Sequence, residues 1–321
     1  MIIKANDPKI RFSPRWRVTD KFAVCTANGA TAEFVFSGKM AILEFDVDFC
    51  REPYPHVYIS VDRGARIEVP IDKYIRISAD EGEHYVEMIL KSSTEVHQRW
   101  FEPLESKVSL VGIEADGFGE LEADGRNTIE FIGDSITEGV LIDEPYQKYH
   151  TLWDRVFEDD ATATYAWLTA EALNLRPIIM GYGAVGTTKA GCGSVPKVYD
   201  AYPFFSHENP CPSAEADYIV INHGTNDGGK TAEEVKYEYA RFVKLVRDRN
   251  PKSKIVCLTP FCGSHAETIG EVVSEHNRQY GDNVYYINST GWVPKEPIHP
   301  LRDGHRIVAG YLTEIMKKDI L

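Results

Sequence analysis

From Arg11 to about Gly117 the chain alternates apolar and polar residues in short bursts. Ala32-Glu-Phe-Val-Phe36, Ala41-Ile-Leu-Glu-Phe-Asp-Val47, His56-Val-Tyr-Ile-Ser-Val61, Ala65-Arg-Ile-Glu-Val-Pro70 and His84-Tyr-Val-Glu-Met-Ile-Leu90 are rich in β-branched and aromatic residues. Such alternation predicts strands with one buried face. Ser37-Gly38, Asp62-Arg-Gly64 and Asp80-Glu-Gly82 separate them as turn signals. An all-β sandwich of jelly-roll type fits this half.

After Asp124-Gly125 the period changes. Strands are expected at Thr128–Ile132, Pro177–Met180, Tyr218–Ile221, Lys254–Leu258 and Val284–Ile287. Helical periods fall between them, over Thr164–Leu175, from Val235 onward and over Ala266–Tyr280, and the chain closes on a helix carrying Ile307, Val308, Tyr311, Leu312 and Ile315. Thr231-Ala-Glu-Glu234 reads as a capping box. This alternation predicts an α/β unit whose parallel sheet is covered on both faces. The expected division is a β-sandwich over 1–125 and an α/β domain over 126–321, packed directly together, because the junction at 118–127 is short and polar.

Composition narrows the function. The chain has 321 residues, 43% hydrophobic and 26% charged, as in an ordinary globular protein of two domains. A net charge of -14 repels phosphate backbones and anionic headgroups, so no nucleic-acid partner is expected. No apolar run is long enough to span a membrane, and the first residues lack the apolar core of a signal peptide, so the expected location is cytoplasmic. Six cysteines without a C-x-x-C pair are expected as reduced, mostly buried thiols. Neither H-E-x-x-H nor a P-loop occurs, and no metal or other cofactor is expected.

In an open α/β sheet, ligands bind beyond the carboxyl ends of the strands. Four segments hold such positions: Gly133-Asp-Ser-Ile-Thr137, Gly181-Tyr-Gly-Ala-Val-Gly-Thr187, Asn222-His-Gly-Thr-Asn-Asp227 and Glu296-Pro-Ile-His-Pro300. Together they offer a hydroxyl, glycine backbone, a carboxamide and an imidazole, which is the equipment of acyl transfer. Ser135 needs a base to take its proton, and His299 is the right type of base. The N–H groups of Ser135 and Gly183 and the side-chain amide of Asn226 are candidate donors to the oxyanion.

The order and content of these segments resemble the SGNH (GDSL-type) hydrolases, with Gly133-Asp-Ser-Ile-Thr137 as first block, Gly183 in the second, Gly224-Thr-Asn-Asp227 as third and His299-Pro300 with Gly304-His305 as last. The match covers residues 128 to 321. With a β-rich domain in front and Tyr165-Ala-Trp-Leu-Thr-Ala-Glu-Ala-Leu-Asn174 after the nucleophile, the layout is similar to family 2 carbohydrate esterases of the acetylxylan-esterase kind. The resemblance implies a flavodoxin-like three-layer α/β/α domain behind a jelly roll, and a serine esterase removing acetyl groups from carbohydrates without a metal. The partner it implies is a small-molecule or oligosaccharide acyl ester. A lipid or thioester hydrolase of the same family, and a catalytically silent carbohydrate-binding protein, are the alternatives. SGNH proteins commonly place Asp three residues before the histidine, where this chain has Glu296. Either Glu296 or a backbone carbonyl is therefore expected to orient His299.

Blander roles are expected elsewhere. Asp134 reads as a brace for its loop, His223 as structural, and Asp303 as a cap of the last helix. Gly181-x-Gly183-x-x-Gly186 formally matches a dinucleotide fingerprint, but Gly191-Cys-Gly-Ser-Val-Pro196 interrupts the helix that should follow. Trp153 and Trp292 offer flat faces for a sugar ring or for packing. Val140–Ala163 reads as a polar loop walling the cleft.

Overall fold

The computed structural model describes residues 1–146 and 152–321, apart from the side chains at 152–154. The first half is an antiparallel sheet of ten strands. Its path runs Arg17–Val18, Ala23–Cys25, Val108–Phe118, Thr31–Phe45, Glu83–Ser92, His56–Val61, Ile67–Pro70. Ile2–Lys4 adds to Val108–Phe118, while Arg11–Phe12 and Tyr74–Ser78 add to Thr31–Phe45. Inward residues such as Phe34, Phe36, Leu43 and Met88 form its core.

One expectation needs correction here. Ser37-Gly38 does not end a strand, because Thr31–Phe45 is continuous. Gly38 takes a φ of 107°, and the pairing with Val108–Phe118 shifts register between Ala115 and Gly117. The glycine serves a bulge, which bends a long strand without breaking it.

No regular structure lies between Phe118 and Thr128. The second half holds a five-stranded parallel sheet with Arg176–Gly181 at one edge, then Thr128–Gly133, Tyr218–Asn222, Lys254–Leu258 and Tyr285–Ile287. In chain order this is 2-1-3-4-5, so the crossover direction reverses between the first and third strands.

Strand alternation supplies two apolar faces. Ile132, Met180, Ile219, Ile221, Ile255 and Cys257 share a cluster with Tyr239, Phe242, Val243, Ile269 and Val272 from helices Ala232–Arg249 and Ala266–Tyr280. Ile129, Phe131, Ile179, Val220, Val256 and Leu258 meet Tyr165, Ala170, Val308, Leu312 and Met316 from helices Tyr165–Ala172 and Arg302–Asp319. The capping box at Thr231 and Glu234 forms in both directions. Asp303, by contrast, does not cap the last helix. Leu301 occupies that position without a side-chain bond, and Asp303 lies in the first turn, where a carboxylate still suits the dipole.

Val140–Ala163 is also less polar than expected. Val140, Leu141, Ile142 and Val156 are buried, Leu152–Glu158 is a helix, and Ala161–Ala163 is a 3-10 turn capped by Asp160. Asp159 is buried and accepts the Leu141 N–H at 2.6 Å. Most of the segment's described residues therefore belong to the body of the protein. Its residues 147–151, and the Trp153 side chain, lie outside what is described.

The six cysteines are free, three buried and three half-buried. Among the described residues no helix is long and apolar enough to cross a membrane.

Candidate active site

The first strand delivers Ser135 to the crossover point. It ends at Gly133, where a Cβ would strike Thr137, and passes through Asp134 into a one-turn helix, Ser135–Glu138. Asp134 caps that helix by accepting the Ile136 N–H at 3.0 Å, which is the bracing role expected of it. Ser135 is the first helical residue, so its own N–H has no intrahelical acceptor. Gly139 closes the turn with a φ of 90°, and a side chain there would meet the Asp160 backbone.

His299 comes from the loop before the last helix. Its Nε2 lies 2.9 Å from Ser135 Oγ across 164 residues of sequence. Burial pushes the imidazole down to about 4, opposed by the Glu95 carboxylate and reinforced by the Arg155 guanidinium. A neutral imidazole at this distance accepts the serine hydroxyl proton, which is the first requirement of a general base.

Asn226 sits in the 3-10 turn Thr225–Asp227. Its Nδ2 lies 3.2 Å from Asp134 Oδ2 and 3.2 Å from Val185 O. The carboxamide is thus tied to the residue preceding Ser135 and to the second block. Asp227 holds the same turn to the second block. Its carboxylate accepts the Thr187 N–H at 3.0 Å and the Thr188 N–H at 2.8 Å, and both hydroxyls. Burial opposes its charge, yet the bonds from Thr188 and Thr187 hold it below the usual carboxylate range.

Gly183 lies in the turn after the second strand. Its N–H faces the buried Glu138 carboxyl, and a Cβ on it would collide with the carboxylate of Glu95. Glu296 is not brought to the Ser135–His299 pair: its side chain is exposed, and it makes no hydrogen bond or ion pair among the described residues.

His223 is fully buried, edge-on to the Phe242 ring. His305 is buried too and accepts the Tyr165 N–H at Nδ1, 2.9 Å away. Burial, then His299 and Arg302, depress it to about 3, so it stays neutral beside the His299 imidazole. Trp292 packs against Tyr311 with ring centroids 5.3 Å apart.

Sequence reasoning missed a set of charged residues beneath the site. Arg99 and Glu138, both fully buried, form an ion pair; Asn28 Nδ2 also reaches Glu138 Oε1 at 3.3 Å. Glu95 pairs with Arg155 at 3.2 Å, and Arg155 with Asp159 at 3.3 Å. Asn28, Glu95 and Arg99 come from the β-rich half, where an isolated polar run, Ser92-Ser-Thr-Glu-Val-His-Gln-Arg99, gives no sign of contact with a site starting 36 residues later.

Comparison with known proteins identifies the family. Residues 131–307, more than half of the chain, match the GDSL-like lipase/acylhydrolase family. The chain belongs to that family. It is an ester hydrolase of the SGNH type. Solved structures with the same fold cover nearly the whole length. A family two carbohydrate esterase from Cellvibrio japonicus superposes with a TM-score of 0.82 at 21% identity, over 99% of this chain and 97% of that one. A family two carbohydrate esterase from Clostridium thermocellum in complex with cellohexaose gives 0.76 at 22%, over 96% and 98%. An acetyl xylan esterase from Butyrivibrio proteoclasticus gives 0.76 at 20%, over 100% and 98%. No curated protein compared with the chain matches it.

Proposed function

We propose that this protein removes acetyl groups from carbohydrate esters through an acyl-enzyme. The 2.9 Å contact between Ser135 Oγ and His299 Nε2 carries the reading. Ser135 Oγ attacks the ester carbonyl while His299 takes its proton. The tetrahedral oxyanion is met by the N–H groups of Ser135 and Gly183 and by the Asn226 amide. Collapse releases the sugar hydroxyl, which takes the proton back from His299. Water then repeats the cycle on the acyl-serine, giving acetate and free Ser135.

Two features support a small acyl group and a sugar alcohol. Ser135 is itself buried, only 7% exposed, which favours a small acyl group over a bulky one. The solved structures of the same fold are described as carbohydrate esterases, one of them bound to cellohexaose. The test is a series of aryl esters from acetate to octanoate, followed by acetylated oligosaccharides. Rates falling steeply beyond acetate, together with acetate release from the oligosaccharides, are expected. Faster octanoate cleavage would instead mean a lipid or thioester hydrolase, and oligosaccharide affinity without any ester cleavage a silent binding protein.

A further inference from the structure

Segment 93–99 of the β-rich half is locked against the second block of the α/β half. The Arg99 N–H donates to Gly193 O at 3.0 Å, and the Cys192 N–H to Gly183 O at 2.9 Å. Ser93 Oγ donates to Asn28 Oδ1 at 2.9 Å, and Asn28 in turn reaches Glu138 at the end of the nucleophile helix. The outcome of this interlocking is the position of Glu95. Its side chain is buried, its carboxylate lies directly on the Gly183 Cα, and Arg155 clamps it from the other side at 3.2 Å.

We propose that Glu95, supplied by the N-terminal half, is a positioning residue for the reaction: it pins the Gly183 turn and lends negative charge to the imidazolium that His299 becomes when Ser135 attacks. This rests on the reading of Ser135 and His299 as nucleophile and base. A fixed carboxylate near a forming cation stabilises it, the more so where both groups are largely buried. The charged and titratable groups facing His299 among the described residues are Glu95 from segment 93–99, Arg155 from helix Leu152–Glu158, and His305 from the last helix. His305 is held neutral, and among the described residues Glu95 and Arg155 are the charges that act on His299, in opposite directions. Only a glycine at 183 lets Glu95 come this close.

The test compares wild type with Glu95→Gln, reading the rate of Ser135 phosphonylation by a fluorophosphonate probe from acid to neutral pH, along with kcat and KM on an aryl acetate. Glu95→Gln keeps the shape and removes the charge. The plateau labelling rate and kcat are expected to fall about three- to tenfold with KM nearly unchanged, as the base weakens. The acid limb should move to lower pH by about half a unit to one unit. Glu95→Asp should recover part of both. Should Glu95→Gln fail to fold, Arg155→Gln serves in its place, and its acid limb should move to higher pH. A limb superimposable on wild type, with only the melting temperature lowered, would overturn the proposal. Labelling needs no substrate, so a wild type that is labelled but cleaves no acyl ester would refute the esterase reading and leave the Glu95 result standing. An unlabelled wild type would refute both.

Discussion

Ser135 is ordinary in itself; what makes it a nucleophile is the imidazole 2.9 Å away and the neutral state of that imidazole. Burial lowers the His299 pKa to about 4, so the proton-accepting form persists at pH values where a histidine at the ordinary 6.5 would be charged. Activity is therefore expected to hold level from neutral pH downward and to fall only as pH drops through about 4. A pH profile of kcat/KM with its acid limb near 6.5 would contradict that environment for His299. In the proposed reaction the Asn226 amide acts only as charge develops on the carbonyl oxygen. Asn226→Ala should lower kcat by about two to three powers of ten with little change in KM. A loss confined to KM would mean the amide binds the ground state and not the oxyanion. These residues were legible in the sequence because each follows a strand end or precedes the last helix. Glu296 was legible only by its spacing, and spacing does not tell which way an exposed side chain turns.

At the scale of elements, the parallel sheet was readable because its strands are apolar runs and its helices carry one apolar stripe each. The long strand Thr31–Phe45 was not, since a glycine bulge and a glycine turn have the same local signature and differ only in the partner strand. The buried charges were hidden for a related reason: nothing local marks a charge whose counterion lies on the other half of the chain. The nucleophile helix shows the consequence. Glu138 at its end is fully buried, and Arg99 offsets the burial that pushes its carboxyl up. Arg99→Met should leave that carboxyl without its cation and cost about 3–5 kcal/mol of stability. Urea unfolding measures it, and a loss below about 1 kcal/mol would show the pair to be dispensable.

Across the whole molecule, the two halves share more than a boundary. Arg15 bonds Glu130 at 2.8 Å on the first parallel strand, and Tyr202 meets the same carboxylate at 2.9 Å. Glu33 pairs with Arg176 at 3.4 Å, and one apolar cluster runs from Phe34 and Leu43 to Ile178 and Tyr182. A rigid seam of this kind lets the β-rich half place Glu95 and Arg99 under a site it does not otherwise build. We propose that this assembly makes Ser135 the nucleophile of an acetyl esterase. Acetate release from an acetylated oligosaccharide by wild type and Ser135→Ala, with folding of both checked by circular dichroism, tests it most directly. Release by wild type and none above background by the variant is the expected result; equal release by the two proteins would contradict it.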